Sequence, residues 1–318
     1  MSANPPFEEE STVNKPPSFS GIRTFMGLDH RRQFEDADYA VIGIPFDTAS
    51  TFRVGARFAP AAIREMSQLL RPYHPEHQVH VITALSGMDY GDIPVNPGNI
   101  EKTMASVEAV IRNAARVPVV PICLGGDHSV SLPVLRGLAS VYGPMGLIHF
   151  DAHTDTWSSS WGEPYTHATP FRRAVEEGLI ATDHAIQIGL RGPVSNPEDR
   201  QIPKTLGFTT LSTQEVLARS LDDTIAQIQA VVGSHPFYIS LDIDVLDPAF
   251  APGTGTPEAG GLSTAQLLQI LRHCSVDALK GMDLVEVLPA YDLSQITAVA
   301  ACHLLYEMIA QLAVAHGQ

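Results

Sequence analysis

The sequence predicts an α/β fold in which a parallel sheet is covered by helices on both faces. Two observations carry this expectation. Short apolar runs alternate with helical patterns along the chain. The runs are apolar at nearly every position, as strands buried on both faces are. A third observation bears on organisation: no internal repeat, low-complexity tract or break in composition divides the chain. Residues 1–20, polar and Pro-rich, are expected to form a flexible arm, and residues 21–318 a single domain.

The elements follow in order. Residues 39–44 read as a strand stopped by Pro45. Pro60 stands in the first turn of a helix over 60–66. Residues 100–115 carry apolar side chains at three-to-four spacing and read as a helix. A strand over 117–124, a helix over 132–142 and a strand over 146–150 come next. A helix over 171–178 is ended by Gly178. Residues 185–190 read as a strand, 221–232 as a helix, 237–241 as a strand and 264–273 as a helix. A strand over 281–287 and a long helix over 293–313 close the chain.

Composition narrows the function. Hydrophobic residues make up 44% of 318, enough for a sizeable core, and the formal net charge is −15. Nucleic acid and anionic membranes select basic surfaces, so neither is expected as a partner. Cys123, Cys274 and Cys302 are the three cysteines, none in a close pair, as in a reducing compartment. Cys123 lies in an apolar strand and reads as a small buried hydrophobe. The first 15 residues have no apolar core of a signal peptide, and no apolar run approaches the roughly 20 residues of a membrane span. A soluble, cytoplasmic protein is expected.

Three acidic clusters, the first two bearing a His, stand just past apolar runs: Gly125-Gly126-Asp127-His128-Ser129, Asp151-Ala152-His153-Thr154-Asp155 and Asp242-Ile243-Asp244-Val245-Leu246-Asp247-Pro248. On an extended strand, residues i, i+2 and i+4 share a face, so Asp151, His153 and Asp155 converge, as do Asp242 and Asp244. Burying so many carboxylates together is prohibitive without cations. Carboxylates can bridge two cations and imidazoles can terminate them, which is what a two-metal hydrolytic site needs. Open α/β sheets bind ligands beyond the carboxyl ends of their strands, and all three clusters fall there.

On these clusters, from about Gly43 to Tyr306, the chain resembles the ureohydrolases, the arginase–agmatinase superfamily. The resemblance implies a three-layer α/β/α arginase-like fold, two divalent cations per chain (Mn²⁺ first, with Ni²⁺ or Co²⁺ admitted by the same donors), a small guanidino substrate, and release of urea and an amine. It also implies a homo-oligomer, trimer or hexamer, with a hetero-oligomer as an alternative. Carried over residue by residue, His128 resembles the terminal ligand of the first metal and His153 that of the second. Asp151 and Asp242 resemble the bridging carboxylates, Asp155 a ligand that also accepts the proton of the bridging water, and Asp244 the remaining ligand. Asp127 is expected to orient backbone or imidazole, and Asp247 to fix a turn. Glu286 resembles the residue that grips the guanidinium, and His167 the loop His that carries a proton towards the leaving amine. His74, His77, His80 and His149 receive no chemistry and read mostly as surface or packing positions.

The substrate is read from the loop over 156–166. Arginases place Asn second after the Asp151–Asp155 motif; here Trp157 stands there, with Trp161 nearby, and these are the chain's only two Trp. Both are expected to contact substrate or to pack the loop. The stretches 169–178 and 253–258 look like the agmatinase and guanidinobutyrase branch. Agmatine or a related guanidino-alkyl amine is expected first, a guanidino acid such as 4-guanidinobutyrate second, and an unusual guanidine or a biguanide such as metformin third. A non-catalytic partner subunit and the same-fold deacetylases, with one zinc and a Tyr opposite it, are the readings from other classes. Two departures from the family stand out: Ala168 and Ala59 occupy positions where it usually has Gly, a residue that often serves a backbone of positive φ.

Overall fold

The computed structural model describes residues 20–317. Its first elements are β1 (Asp29–His30), β2 (Tyr39–Gly43), α1 (Ala59–Met66), β3 (Tyr73–His74), β4 (Val79–His80), α2 (Val81–Ala84), β5 (Gly87–Asp92) and α3 (Ile100–Ala115). There follow β6 (Val120–Leu124), α4 (Ser131–Tyr142), β7 (Met145–Phe150), α5 (Pro170–Glu176), β8 (Ile180–Leu190), α6 (Ile202–Thr205), β9 (Thr209–Ser212) and α7 (Thr213–Leu217). The rest are α8 (Leu221–Val232), β10 (Phe237–Asp242), α9 (Thr264–His273), β11 (Leu279–Val285) and α10 (Ile296–His316).

Nine strands pair in parallel in the order β1-β5-β2-β6-β11-β10-β7-β8-β9, while β3 and β4 form a separate antiparallel ribbon. Alternate side chains on each strand feed two cores. Val41, Ile122, Ile148 and Ile239 pack with α1, α8, α9 and α10. Ala40, Ile42, Cys123 and Leu147 pack with α3, α4 and α5 on the other face. This is the three-layer α/β/α architecture, with the sheet buried on both sides. Cys123 is fully buried, and burial pushes its thiol well up.

The helices carry their start signals. Asn99 accepts from Lys102 N–H at 2.8 Å ahead of α3, and Ser263 and Gln266 form a reciprocal cap ahead of α9. Ala59 opens α1 with φ −57°, fully buried, so a side chain fits where the family usually has Gly.

Several boundaries differ from the expected ones. β6 starts at Val120 and β8 at Ile180, and β11 stops at Val285, which leaves Glu286 just past the strand. The last helix is shifted by three residues. It is 21 residues long, with mean hydropathy 1.6 over its most apolar stretch. It is therefore long and apolar enough to cross a membrane, which corrects the expectation that no run approaches that length. In this fold 67% of that stretch is buried, against α1 and α9. The expected N-terminal arm lies outside the described residues except for Ser20.

Candidate metal centre

Register brings the three clusters level. Phe150 of β7 pairs with Leu241 of β10, Leu241 with Leu284 of β11, and Leu284 with Leu124 of β6. The chain therefore leaves four neighbouring strands at one height. Beyond β6 it runs against another loop: Asp127 N–H donates to the Phe46 carbonyl at 2.8 Å. A Cβ on Gly126 would lie 1.6 Å from that oxygen, so only glycine fits.

At the centre is His128, fully buried. Its Nδ1 lies 3.2 Å from Asp151 Oδ2, 2.9 Å from Asp155 Oδ2 and 3.1 Å from Asp242 Oδ2. Despite these distances Nδ1 makes no hydrogen bond. The four atoms crowd together without pairing, as donors around a shared cation do. The far side of the ring explains why. Tyr238 and Ser131 donate their hydroxyls to Asp283 Oδ2, and Ser240 donates to Asp283 Oδ1 at 2.7 Å. The Ser240 oxygen is left to accept from His128 Nε2–H at 2.8 Å, so Nδ1 faces the carboxylates.

His153 forms the second grouping. Its Nδ1 lies 3.0 Å from Asp244 Oδ2 and 3.4 Å from Asp151 Oδ1. Asp244 Oδ1 accepts from Ala152 N–H at 3.1 Å, while Oδ2 is buried without a hydrogen bond. Asp242 Oδ1 accepts from Asp244 N–H at 2.9 Å. Thus the structure brings all six expected ligands, His128, Asp151, His153, Asp155, Asp242 and Asp244, into one place, with Asp151 touching both groupings.

Electrostatics point to missing positive charge. Burial, then the charges of Asp244 and Asp151, hold the Asp242 carboxyl well above the usual range. Asp151 goes the other way: burial would raise it, but His149, His128 and His153 hold it well below. Bound cations would relieve the strain on Asp242. The donor set of oxygens and imidazoles suits a pair of hard or borderline divalent ions.

His149 is a residue that sequence reasoning assigned to surface or packing. It is fully buried, donates from Nε2 to Asp151 Oδ2 at 2.8 Å, and accepts a hydrogen bond from the Gln187 amide at 2.9 Å on Nδ1. Ser240, Asp283 and Gln187 were also not anticipated. Asp247 accepts from Ala249, Gly260 and Gly261 N–H groups and fixes a turn. Asp127 accepts from Ser129 and Ala49 N–H groups, and so orients backbone and not the imidazole. Burial, with Glu286 nearby, pushes Asp127 up to about 7.

Glu286 and His167 close the site. Glu286 Oε1 accepts from His128 N–H and from His167 Nδ1, both at 2.9 Å. Glu286 Oε2 is buried with no partner. Thr51 donates its N–H to His167 Nε2 at 3.1 Å, which leaves the ring proton on Nδ1 towards Glu286. Asp155 and Glu286 both adopt left-handed backbone, with φ 48° and 62°. For non-glycine residues this costs on the order of 1 kcal/mol or more and marks functional sites. Phe171 N–H to Asp155 O and Glu286 N–H to Gly126 O hold the two in place.

A cavity of about 240 Å³ opens onto the centre and is lined by Thr51, Asp155, Trp157, His167, Asp242 and Thr256, among others. Among the described residues no Tyr lines it, as the deacetylase alternative requires. Trp157 is part of its wall; Trp161 is not, standing 80% exposed over a separate cleft. Ala168 lines the cavity with negative φ, so this loop does not need Gly there.

The chain is similar to known proteins over most of its length. The arginase family matches over residues 37–310. The chain is 40% identical over 298 residues to a guanidinopropionase of Pseudomonas aeruginosa, covering 93% of each chain. It is 42% identical over 289 residues to an agmatinase of Escherichia coli O139:H28, covering 89% of this chain and 90% of that one. The proclavaminate amidino hydrolase from Streptomyces clavuligerus superposes with TM-score 0.89 at 36% identity, over 94% of this chain and all of that one.

Proposed function

Since this chain belongs to the arginase family, we propose that it is a metal-dependent hydrolase that cleaves a linear guanidino compound to urea and an amine. One observation supports this above others. Three buried polar atoms without partners, His128 Nδ1, Asp244 Oδ2 and Glu286 Oε2, belong to the centre at the ends of four adjacent strands. Buried polar atoms are normally satisfied, and unsatisfied ones call for an ion or a ligand. Two need a cation; the third needs a donor such as a guanidinium N–H.

His128, Asp151, Asp155 and Asp242 would hold one cation, and Asp151, His153, Asp242 and Asp244 the other. Mn²⁺ is the expected metal, with Ni²⁺ or Co²⁺ admitted by the same donors. Two such ions would supply Lewis acidity and would lower the pKa of a water bound there towards neutral. The protein's own residues then do the rest. Glu286 accepts guanidinium N–H groups on its free oxygen and turns the central carbon to the water. Asp155, on its strained turn, accepts the proton the water gives up. The water oxygen bonds to the central carbon, the carbon–nitrogen bond to the alkyl nitrogen breaks, the proton held by Asp155 reaches that nitrogen by way of His167, and urea and the amine leave.

The test is urea release by metal-stripped protein reloaded with Mn²⁺ or Ni²⁺, over agmatine, 4-guanidinobutyrate, 3-guanidinopropionate, arginine, guanidine and metformin. Urea from a linear compound is the expected result. Silence across all six with two cations bound per chain would mean that the hydrolase reading is wrong. Agmatine is the first candidate by sequence, and similarity does not decide it, since an agmatinase and a guanidinopropionase match almost equally well.

A further inference from the structure

Behind the candidate ligands a polar row crosses the sheet. Asp283 of β11 pairs in register with Ser240 of β10, Ser240 with His149 of β7, and His149 with Gln187 of β8. All four are fully buried. Ser240 and His149 stand two residues before Asp242 and Asp151, on the same face of their strands. The Asp283–Ser240 end sets the ring of His128. The other end, His149 and Gln187, takes no part in the reaction steps.

The hydrogen bonds at that end admit one arrangement of protons. Gln187 Nε2 lies 2.7 Å from the Thr154 carbonyl oxygen and 2.9 Å from His149 Nδ1. A carbonyl only accepts, so the amide must face it with N–H, and the second N–H goes to His149 Nδ1. The amide keeps this orientation although its own Oε1 is buried without a partner. Turned over, it would set oxygen against oxygen at Thr154. His149 Nδ1 is therefore an acceptor, and the ring proton sits on Nε2, 2.8 Å from Asp151 Oδ2. Phe171 of α5 packs on the ring, with 4.2 Å between ring centres.

This arrangement shares out the two oxygens of Asp151. Oδ2 receives His149 Nε2–H and faces His128 Nδ1. Oδ1 receives His153 N–H at 2.6 Å and faces His153 Nδ1. Each oxygen takes one N–H and keeps a lone pair for one grouping. His149 could otherwise be a ligand itself: one of its nitrogens, one of His128 and an oxygen of Asp151 all lie within 4.8 Å of one another. A proton on Nε2 forbids that, because a cation needs the lone pair.

We infer that His149 is a positioning residue, held by Gln187 in the tautomer that gives Nε2–H to Asp151, so that Asp151 can serve two cations while His149 stays off both. This rests on the metal-dependent reading of the centre.

The experiment uses two readouts, neither of them turnover: Mn²⁺ binding by calorimetry, and the paramagnetic resonance signal of a spin-coupled Mn²⁺ pair. The wild type takes up two Mn²⁺ per chain and shows the coupled signal. His149→Leu removes the N–H, weakens Mn²⁺ binding about tenfold or more and loses the coupled signal. His149→Gln supplies an amide N–H without an imidazole, and restores both readouts to within about threefold of the wild type. Gln187→Leu frees the tautomer and weakens Mn²⁺ about tenfold, but costs nothing when combined with His149→Gln, whose amide is oriented by Asp151 itself. Melting of the metal-stripped proteins reports which variants fold, and Gln187→Leu carries the test should His149→Leu not fold. Wild-type binding in His149→Leu or Gln187→Leu overturns the assignment. So does a loss in folded His149→Gln as large as in His149→Leu, which would make the imidazole a ligand. Fewer than two cations on the wild type would instead overturn the metal-dependent reading beneath it.

Discussion

At His128 a single tautomer depends on a chain of hydroxyls ending at Asp283. Because Asp283 takes the Ser240 proton, Ser240 can only accept from His128 Nε2–H. Ser240→Ala removes that acceptor and frees the ring to turn or to move its proton. Partners of this kind are worth 10–100-fold in metal affinity. The variant is expected to bind Mn²⁺ about 10–100-fold more weakly, by chelator competition or calorimetry, with its circular dichroism unchanged. An unchanged affinity would remove Ser240 from the account.

At the scale of elements, the β3–β4 ribbon is tied to the last helix by one buried acid. Glu307 of α10 receives Arg272 of α9 through two hydrogen bonds, of 3.0 and 2.8 Å, and meets His77 Nε2 at 2.6 Å and His74 Nε2 at 3.3 Å. Burial would raise Glu307, but Arg272 and His77 outweigh it and hold the carboxyl below its usual value. Burial also lowers His74, in spite of Glu307. Both folded values are depressed, so both contributions are present above the unfolded values, about 6.5 for His and 4.3 for Glu, and are lost as pH falls. The His74 share should go first, below about 6.5, and the Glu307 share only under more acid conditions. Melting temperature followed from pH 8 to pH 4 should fall, and fall more steeply in Glu307→Gln, which starts lower and leaves buried His74 without the carboxylate that eases its protonation. Parallel curves would show that this staple does not titrate.

The same elements show what a sequence can and cannot reveal. Apolar runs on both-side-buried strands identify β2, β6, β7, β10 and β11, and the ligand clusters are local patterns behind them. β5 hides because Gly87, Asp89, Gly91 and Asp92 break any apolar run; its buried Asp89 is satisfied by Arg64 of α1 through bonds of 2.8 and 2.9 Å, a partner 25 residues away. β1 has two residues and β9 four, too few to show a period. His149, Ser240 and Asp283 gain meaning only when three strands lie side by side, so no local signal exists for them. The left-handed backbone at Asp155 and Glu286 is likewise set by hydrogen bonds from distant loops.

For the whole molecule, a buried cluster of four carboxylates and two imidazoles is a liability without cations. Removing metal should therefore lower the melting temperature, and restoring it should raise stability by about 2.7 kcal/mol per site at a hundredfold excess over Kd. Scanning calorimetry with chelator, then with Mn²⁺, measures this. Identical curves would mean that the cluster holds no cation in the folded state.

The strand order has a kinetic consequence. β6 and β7 are consecutive in the chain, yet β11 and β10 lie between them in the sheet. Their facing edges stay open until residues 237–285 have been made and threaded into the gap. Long-range parallel pairing of this kind is slow, because the loop must close before any contact rewards it. Newly made chains thus pass through a stage with two raw edges and four of the six candidate ligands, when neighbouring molecules can pair with them. A cation site that needs Asp242 and Asp244 is complete only once β10 is in place.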